Sequence, residues 1–158
     1  MSEMFLPRFM IAAPASGSGK TTLTCAVLKA LMNKGLKTAA FKSGPDYIDP
    51  MFHRSVLGVE SHNLDLFLCG EDAARALYAR HAAGHGAAVV EGVMGFYDGV
   101  GGVTARASAW HVARTLDLPV LLVLRPRGAS LTLAAQVRGL LAFRQPSHIA
   151  GILLNDCS

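Results

Sequence analysis

Apolar and polar positions along the chain switch between a short-run pattern and a helical one, which predicts strands and helices in turn. Phe9–Ala13 is a short apolar run. After a loop of small residues, Leu23, Val27, Ala30 and Leu31 recur at helical spacing from Lys20 onward, and Lys34-Gly35 ends that helix. Thr38–Phe41 is the next strand, with Lys42 at its end. From Ser43 to about Gly70 the periodicity is lost, and the run from Gly44 to Pro50 is turn chemistry, so an irregular segment is expected there. So long an irregular stretch inside a compact domain is more often functional than filler.

Glu71–Ala83 is expected to be a helix, with Asp72 in its first turn and Arg80 and His81 in its last. Ala87–Val90 is a buried strand with Glu91 at its carboxyl end, and a glycine-rich loop containing Asp98 follows from Gly92 to Gly102. Ala105–Leu116 and Ser130–Phe143 are expected helices; Val120–Leu124 and Ile149–Leu154 are expected strands, the second ending at Asn155. No internal repeat or linker interrupts this order. Strands alternating with helices define an α/β domain, a mostly parallel sheet between helical layers.

Ligands in such sheets sit outside the carboxyl ends of the strands. The polar residues expected there are Ser16–Thr22, Lys42 with Asp46 and Asp49, Glu91 with Asp98, Arg125 with Arg127, and Asn155. The first group has a specific chemistry. Ser16, Gly17, Ser18, Gly19, Lys20, Thr21 and Thr22 join a strand to a helix N-terminus, where unpaired N–H groups and the helix dipole suit a polyphosphate. Lys20 would reach the β- and γ-phosphates of ATP, and the Thr21 hydroxyl would bind Mg²⁺. Pro14 stands where the usual phosphate-loop pattern has its first glycine.

Glu91 and Asp46, with Thr21, could complete an oxygen set for Mg²⁺, which takes one or two carboxylates plus phosphate oxygens and water. Asp46 and Asp49 also fit as turn starters, and Asp98 fits equally as a turn residue before Gly99. The six histidines show no metal-ligand spacing and read mostly as surface or packing residues, with His53, close after Asp49, a candidate substrate contact. Arg125 and Arg127 are either a solvated loop or a grip on carboxylates.

Composition narrows the class. At 158 residues the chain is one domain or most of one, and 51% hydrophobic content with 16 Gly suits a tightly wound α/β core. Net charge is only +4, and no basic cluster interleaves with aromatics, which does not suggest nucleic acid. Cys25, Cys69 and Cys157 are widely spaced with no Cys-x-x-Cys pair, so reduced thiols in the cytoplasm are expected. No apolar run approaches ~18 residues, so no membrane span is expected. The apolar N-terminus mimics a short signal peptide, but it carries Glu3 and runs straight into the phosphate loop.

Several blocks together resemble the cobyrinic acid a,c-diamide synthases. They are Ala13–Thr22, Phe41–His53, Asn63–Asp65 and Val90–Gly99, with looser likeness through Leu118–Leu124 and Ile149–Asn155. In that family the proline at position 14 is itself usual. The resemblance implies a P-loop ATPase fold like that of dethiobiotin synthetase. It also implies ATP- and Mg²⁺-dependent amidation of corrin acetate side chains through an acyl phosphate. The carboxylates of an anionic tetrapyrrole would be activated, and ammonia would come from a glutaminase domain. Lys20 and Lys42 would neutralise the transferring phosphoryl group, and Asp46, Asp49, Glu91 and Asp98 match acidic positions of the family's motifs.

Family members are roughly three times this long, because an amidotransferase domain with a nucleophilic Cys and a His follows. Neither residue has a counterpart here, and the chain stops at Cys157-Ser158, so a partial synthetase domain is expected, with a homodimer among the open oligomeric states. Leu124–Arg127 also lacks the acid many members carry after that strand. Three other readings compete. A partitioning-type ATPase would have a second lysine where Ala15 stands, and a dethiobiotin-synthetase-like ligase would carry Gly-Thr-Asp in place of Pro14–Ser16. An inactive fragment that only binds nucleotide is the third.

Overall fold

The structure is a computed structural model that describes residues 7–157. Glu3 and the signal-like N-terminus lie outside the described residues, as does Ser158. The elements run β1 (Arg8–Ala12), α1 (Lys20–Asn33), β2 (Thr38–Ser43), α2 (Ile48–Leu57), β3 (Ser61–Leu64), α3 (Gly70–Ala82), β4 (Ala87–Glu91), α4 (Ala109–Leu116), β5 (Val120–Leu124), α5 (Leu131–Phe143) and β6 (Ile149–Leu154). Among the described residues one sheet forms, in the order β3-β2-β4-β1-β5-β6, and every pairing is parallel.

Central strands read as unbroken apolar runs because both faces are covered. Successive side chains point to opposite faces, so neighbours in sequence enter different cores. Met10, Ala12, Phe41, Val90 and Leu122 pack with Tyr78 of α3 and Trp110 and Ala113 of α4. Ile11, Ala13, Ala40, Val89 and Val123 face Leu28 of α1, with Leu57 of α2 alongside. Three layers result, as the alternation of periods predicts.

Register decides what meets at the carboxyl edge. Lys42 on β2 lies beside Glu91 on β4, and Glu91 lies beside Ile11 on β1, just before the loop that leads to Lys20. Asn63 on β3 flanks Lys42 from the other side.

The segment expected to be irregular contains two elements, α2 and β3. Pro50 sits in the first turn of α2, where its missing N–H has no helical partner to lose. Apolar periodicity gives no inward signal, because Ile48, Met51 and Val56 face solvent and the buried member of the helix is His53. β3 is a short edge strand, mostly polar, paired only with β2. The helix expected from Ala105 starts instead at Ala109. Residues 105–108 form a turn in which Ala107 has φ 59°, and Ser108 caps the helix by accepting from the His111 N–H.

Candidate functional site

The loop after β1 wraps the N-terminus of α1 and is fixed from three sides. Ser18 Oγ donates to the Ala15 carbonyl at 2.8 Å. Arg125, at the end of β5, donates to the Gly17 carbonyl at 3.0 Å and pairs with Asp156, as does Arg127. Asn155, at the end of β6, donates to the Ser18 carbonyl at 3.0 Å. Gly19 holds φ 90°, a conformation that favours glycine, and a Cβ there would stand 2.5 Å from Asn155 Nδ2, so the side chain that holds the Ser18 carbonyl would have to move.

Lys20 turns its ammonium group into this loop, donating to Ala15 O at 3.1 Å and to Met94 O at 2.9 Å. Burial holds its pKa below the usual lysine value, and the Lys42 charge pushes the same way; Glu91, Asp49 and Asp98 oppose this only in part. Met94 reaches Lys20 because the turn after β4 folds back. Its φ is 49°, Asp98 Oδ2 accepts from the Gly95 N–H at 3.1 Å, and a Cβ on Gly95 would collide with Asp98 and Pro14. Asp98 therefore builds the turn that faces the phosphate loop, and touches none of the other site acids.

The acids gather around Lys42 and Thr21. Thr21 Oγ1 lies 2.6 Å from Glu91 Oε1 and 3.1 Å from Asp49 Oδ1; its single proton serves one of them at a time. Lys42, almost fully buried, donates to Asp49, to Glu91 Oε1 at 3.1 Å and to Gly92 O at 3.2 Å, with Asp46 at 3.7 Å. Burial pulls the Lys42 pKa down, but Glu91 and Asp49 outweigh it and hold it above the ordinary lysine value. Burial pushes Asp49 up, but the Lys42 hydrogen bond and charge outweigh it and hold that carboxyl below its ordinary value.

Asp46 departs from the expected arrangement. Its Oδ1 accepts from the Ile48 N–H at 2.9 Å, opening the turn into α2, and Asp49 rather than Asp46 meets Thr21. Asn63 fastens this turn by donating to the carbonyls of Gly44 and Asp46 at 2.8 and 2.7 Å.

His53 is also not where a substrate contact would be. It is fully buried, with Nε2 3.0 Å from Glu91 Oε2 and Nδ1 3.2 Å from Ser61 Oγ. A carboxylate oxygen accepts, so Nε2 is the donor toward Glu91, and Nδ1 pairs with the Ser61 hydroxyl. Glu91 is thus fully buried yet bound through both oxygens, one by His53 and the other by Thr21 and Lys42. His53 follows Asp49 by one helical turn, a spacing that places both on one face. That signal becomes readable only once residues 48–57 are known to be helical.

Lys20, Thr21, Lys42, Asp46, Asp49 and Glu91 line a cleft of about 540 Å³ with Ser16, Gly17, Gly19, Thr22, Val93 and Met94. A larger cleft of about 680 Å³ lies beside Lys37, Glu60, His62 and His81 and holds none of these acids or the phosphate loop. Oxygens of Thr21, Asp49 and Glu91, from three different elements, converge beside Lys20 in the first cleft. Hard oxygen donors of this kind suit Mg²⁺. Among the described residues no three His, Cys, Asp or Glu side chains are arranged to hold a metal by themselves, so a cation here would share its shell with phosphate oxygens and water.

The loop, the helix N-terminus and the acids at the ends of β2 and β4 define a nucleotide-binding domain, and the chain belongs to the CobQ/CobB/MinD/ParA nucleotide binding domain family, matched over residues 9–157. Its relatives narrow the likeness. It is 49% identical over 94% of its length to the cobyrinate a,c-diamide synthase of Clostridium acetobutylicum, and 52% identical over 92% to that of Gloeobacter violaceus. It is 44% identical over 95% to the hydrogenobyrinate a,c-diamide synthase of Streptomyces coelicolor. The chain spans about a third of each of these proteins, namely 33%, 32% and 31%. Among solved structures, the signal recognition particle receptor FtsY of Elizabethkingia anophelis matches with TM-score 0.66 at 13% identity, covering 94% of this chain and 48% of that one. That likeness concerns the fold alone.

Cys25 is buried, Cys69 and Cys157 are exposed, and all three are free thiols. No helix among the described residues is long and apolar enough to cross a membrane.

Proposed function

We propose that this chain is the ATP-binding, carboxylate-activating part of a cobyrinate a,c-diamide synthase. The observation that carries the reading is the convergence of Glu91 and Asp49, both held by Lys42, on Thr21 at the mouth of the phosphate loop, in a chain about half identical to named synthases. ATP would lie with its phosphates on the N–H groups of residues 16–22 and with Lys20 on the β- and γ-phosphates. Thr21, Asp49 and Glu91 would hold Mg²⁺, with Asp46 at the rim of the cleft. When bound, Mg²⁺ supplies charge neutralisation and in-line orientation of the γ-phosphate.

The site holds two ammonium groups, Lys20 and Lys42, against three carboxylates, Asp46, Asp49 and Glu91, so one carboxylate is in excess. ATP is an anion, and it would enter this excess of negative charge best with a divalent cation already paired to the acids. A corrinoid acetate oxygen then attacks the γ-phosphorus, the bond to the β–γ bridging oxygen breaks, and ADP leaves. Lys20 and Lys42 stand where they would stabilise charge on the transferring group. Ammonia attacks the acyl carbon, the C–O bond to the phosphate breaks, and the departing phosphate carries away that oxygen and takes up the proton that the nitrogen loses. The relatives' additional length is where a source of ammonia from glutamine would reside.

The test is to incubate the chain with ATP, Mg²⁺, cobyrinic acid and ammonium chloride. ADP should form only when cobyrinic acid is present, and Lys20→Ala should abolish it. ATP should also stabilise the wild type by about 2.7 kcal/mol at 100 times its dissociation constant. ADP release indifferent to cobyrinic acid would refute the reading.

A further inference from the structure

A second cavity, of about 450 Å³, adjoins the phosphate cleft, and Val93 and Met94 line both. Its other walls include Pro45, Phe67, Leu68 and Val100, a mostly apolar lining, with the carboxylates of Asp65 and Asp98, of the kind that receives organic ligands. Phe67 and Leu68 are 56% and 70% exposed and Met94 51%, so the apolar surface continues out of the cavity toward solvent. Over the Phe67 ring, 5.8 Å from its centre, lies the Arg106 guanidinium. Arg106 forms no ion pair among the described residues. A fork of donors stacked on an aromatic face is pre-organised for a carboxylate.

The two acids of the cavity wall are engaged with backbone. Asp65 Oδ1 accepts from the N–H groups of Phe67 and Leu68 at 2.8 and 3.1 Å, and Asp98 accepts from Gly95. Each is engaged through one oxygen, Asp65 Oδ2 being buried without a partner among the described residues, and such walls suit an uncharged ring edge better than another carboxylate. Acidic substituents of such a ring would be received outside the cavity, one by Arg106 over Phe67 and the reacting one in the ATP cleft beyond Met94, where Lys20 and Lys42 stand among three carboxylates.

We propose that this cavity seats one edge of the flat tetrapyrrole acceptor, with Arg106 gripping a peripheral carboxylate other than the one being phosphorylated. The proposal rests on the function inferred above. It makes Arg106 and the Phe67–Leu68 wall determinants of acceptor binding, separate from ATP binding. A conformational link comes with the geometry, because Met94 borders the acceptor's cavity while its carbonyl holds Lys20.

The test titrates cobyrinic acid, followed by its visible absorbance, into wild-type chain and variants, with ATP affinity measured in parallel. Arg106→Met should weaken cobyrinic acid binding at least ~10-fold, as expected for loss of a charge-assisted contact, and leave ATP affinity within about twofold. Arg106→Lys should recover part of the loss. Leu68→Asp, at an exposed position that folding tolerates, should weaken binding similarly, whereas Val56→Asp on the exposed face of α2 should not. Wild-type binding that Arg106→Met and Leu68→Asp leave unchanged would overturn this proposal while the function stands. Equal loss of ATP and cobyrinic acid affinity in Arg106→Met would also overturn it. A wild type that binds ATP but no cobyrinic acid would overturn the functional reading and this proposal with it.

Discussion

His53→Ala is the most informative single change outside the residues that would touch ATP. Wild-type His53 is fully buried and supplies the donor for Glu91 Oε2, itself fully buried. Alanine leaves that oxygen without a partner, which costs about 1–3 kcal/mol for a neutral group and more for a charged one. The vacated imidazole volume adds a cavity term, for a total of about 3–5 kcal/mol. Each kcal/mol lowers Tm by about 2–4 °C in a domain of this size, so the expected fall is about 6–20 °C. His53→Gln keeps a donor within reach of Glu91 and should retain at least half of the lost stability. Thermal denaturation followed by circular dichroism reads both variants. The same samples, titrated with ATP with and without Mg²⁺, should show that Gln preserves the Mg²⁺-dependent part of the affinity and Ala does not. Equal destabilisation by Ala and Gln, or a loss under about 1 kcal/mol with Ala, would refute the role given to this hydrogen bond.

Two further outcomes follow from the site. The depressed pKa of Asp49 means that its ionised form stabilises the fold; that stability is complete above an unfolded-state pKa of about 3.9 and is lost as pH falls through the lower folded value. Urea denaturation should therefore show Asp49→Asn less stable than wild type at pH 6, with the gap closing toward pH 2; a gap independent of pH would contradict the assignment. Gly19→Ala should weaken ATP binding more than Gly17→Ala, because besides φ 90° its Cβ would push the Asn155 side chain off the loop, whereas Gly17→Ala, at φ 74° with open space around it, should cost only about 1–2 kcal/mol. Equal nucleotide affinities of the two variants by calorimetry would show that the close approach at Gly19 is unimportant.

Much of this site is legible in the chain because parallel α/β architecture converts sequence order into place. Once β1, β2 and β4 are read from their apolar runs, Lys20, Lys42 and Glu91 must share one edge, and the register brings Lys42 beside Glu91. The choice between Asp46 and Asp49 is not legible in the same way. Both lie in a run of turn-forming residues, and only the start of α2 at Ile48 turns Asp49 toward Thr21 while Asp46 serves the turn. α2 itself hides because Ile48, Met51, Phe52 and Val56 face out and its fully buried residue is an imidazole. Met94 carries no sequence signal for its part. Its backbone carbonyl, not its side chain, meets Lys20, through a positive φ that composition does not encode.

The central claim is that a corrinoid carboxylate oxygen attacks the γ-phosphate of ATP held between Lys20 and the oxygens of Thr21, Asp49 and Glu91. It is tested most directly with cobyrinic acid labelled with ¹⁸O in its acetate carboxylates, ammonium chloride as nitrogen donor, and mass analysis of the phosphate released. An acyl phosphate transfers one labelled oxygen from the carboxylate to phosphate for each amide formed, and ADP is the nucleotide product. Amide formation with unlabelled phosphate, or with release of AMP in place of ADP, would contradict the account.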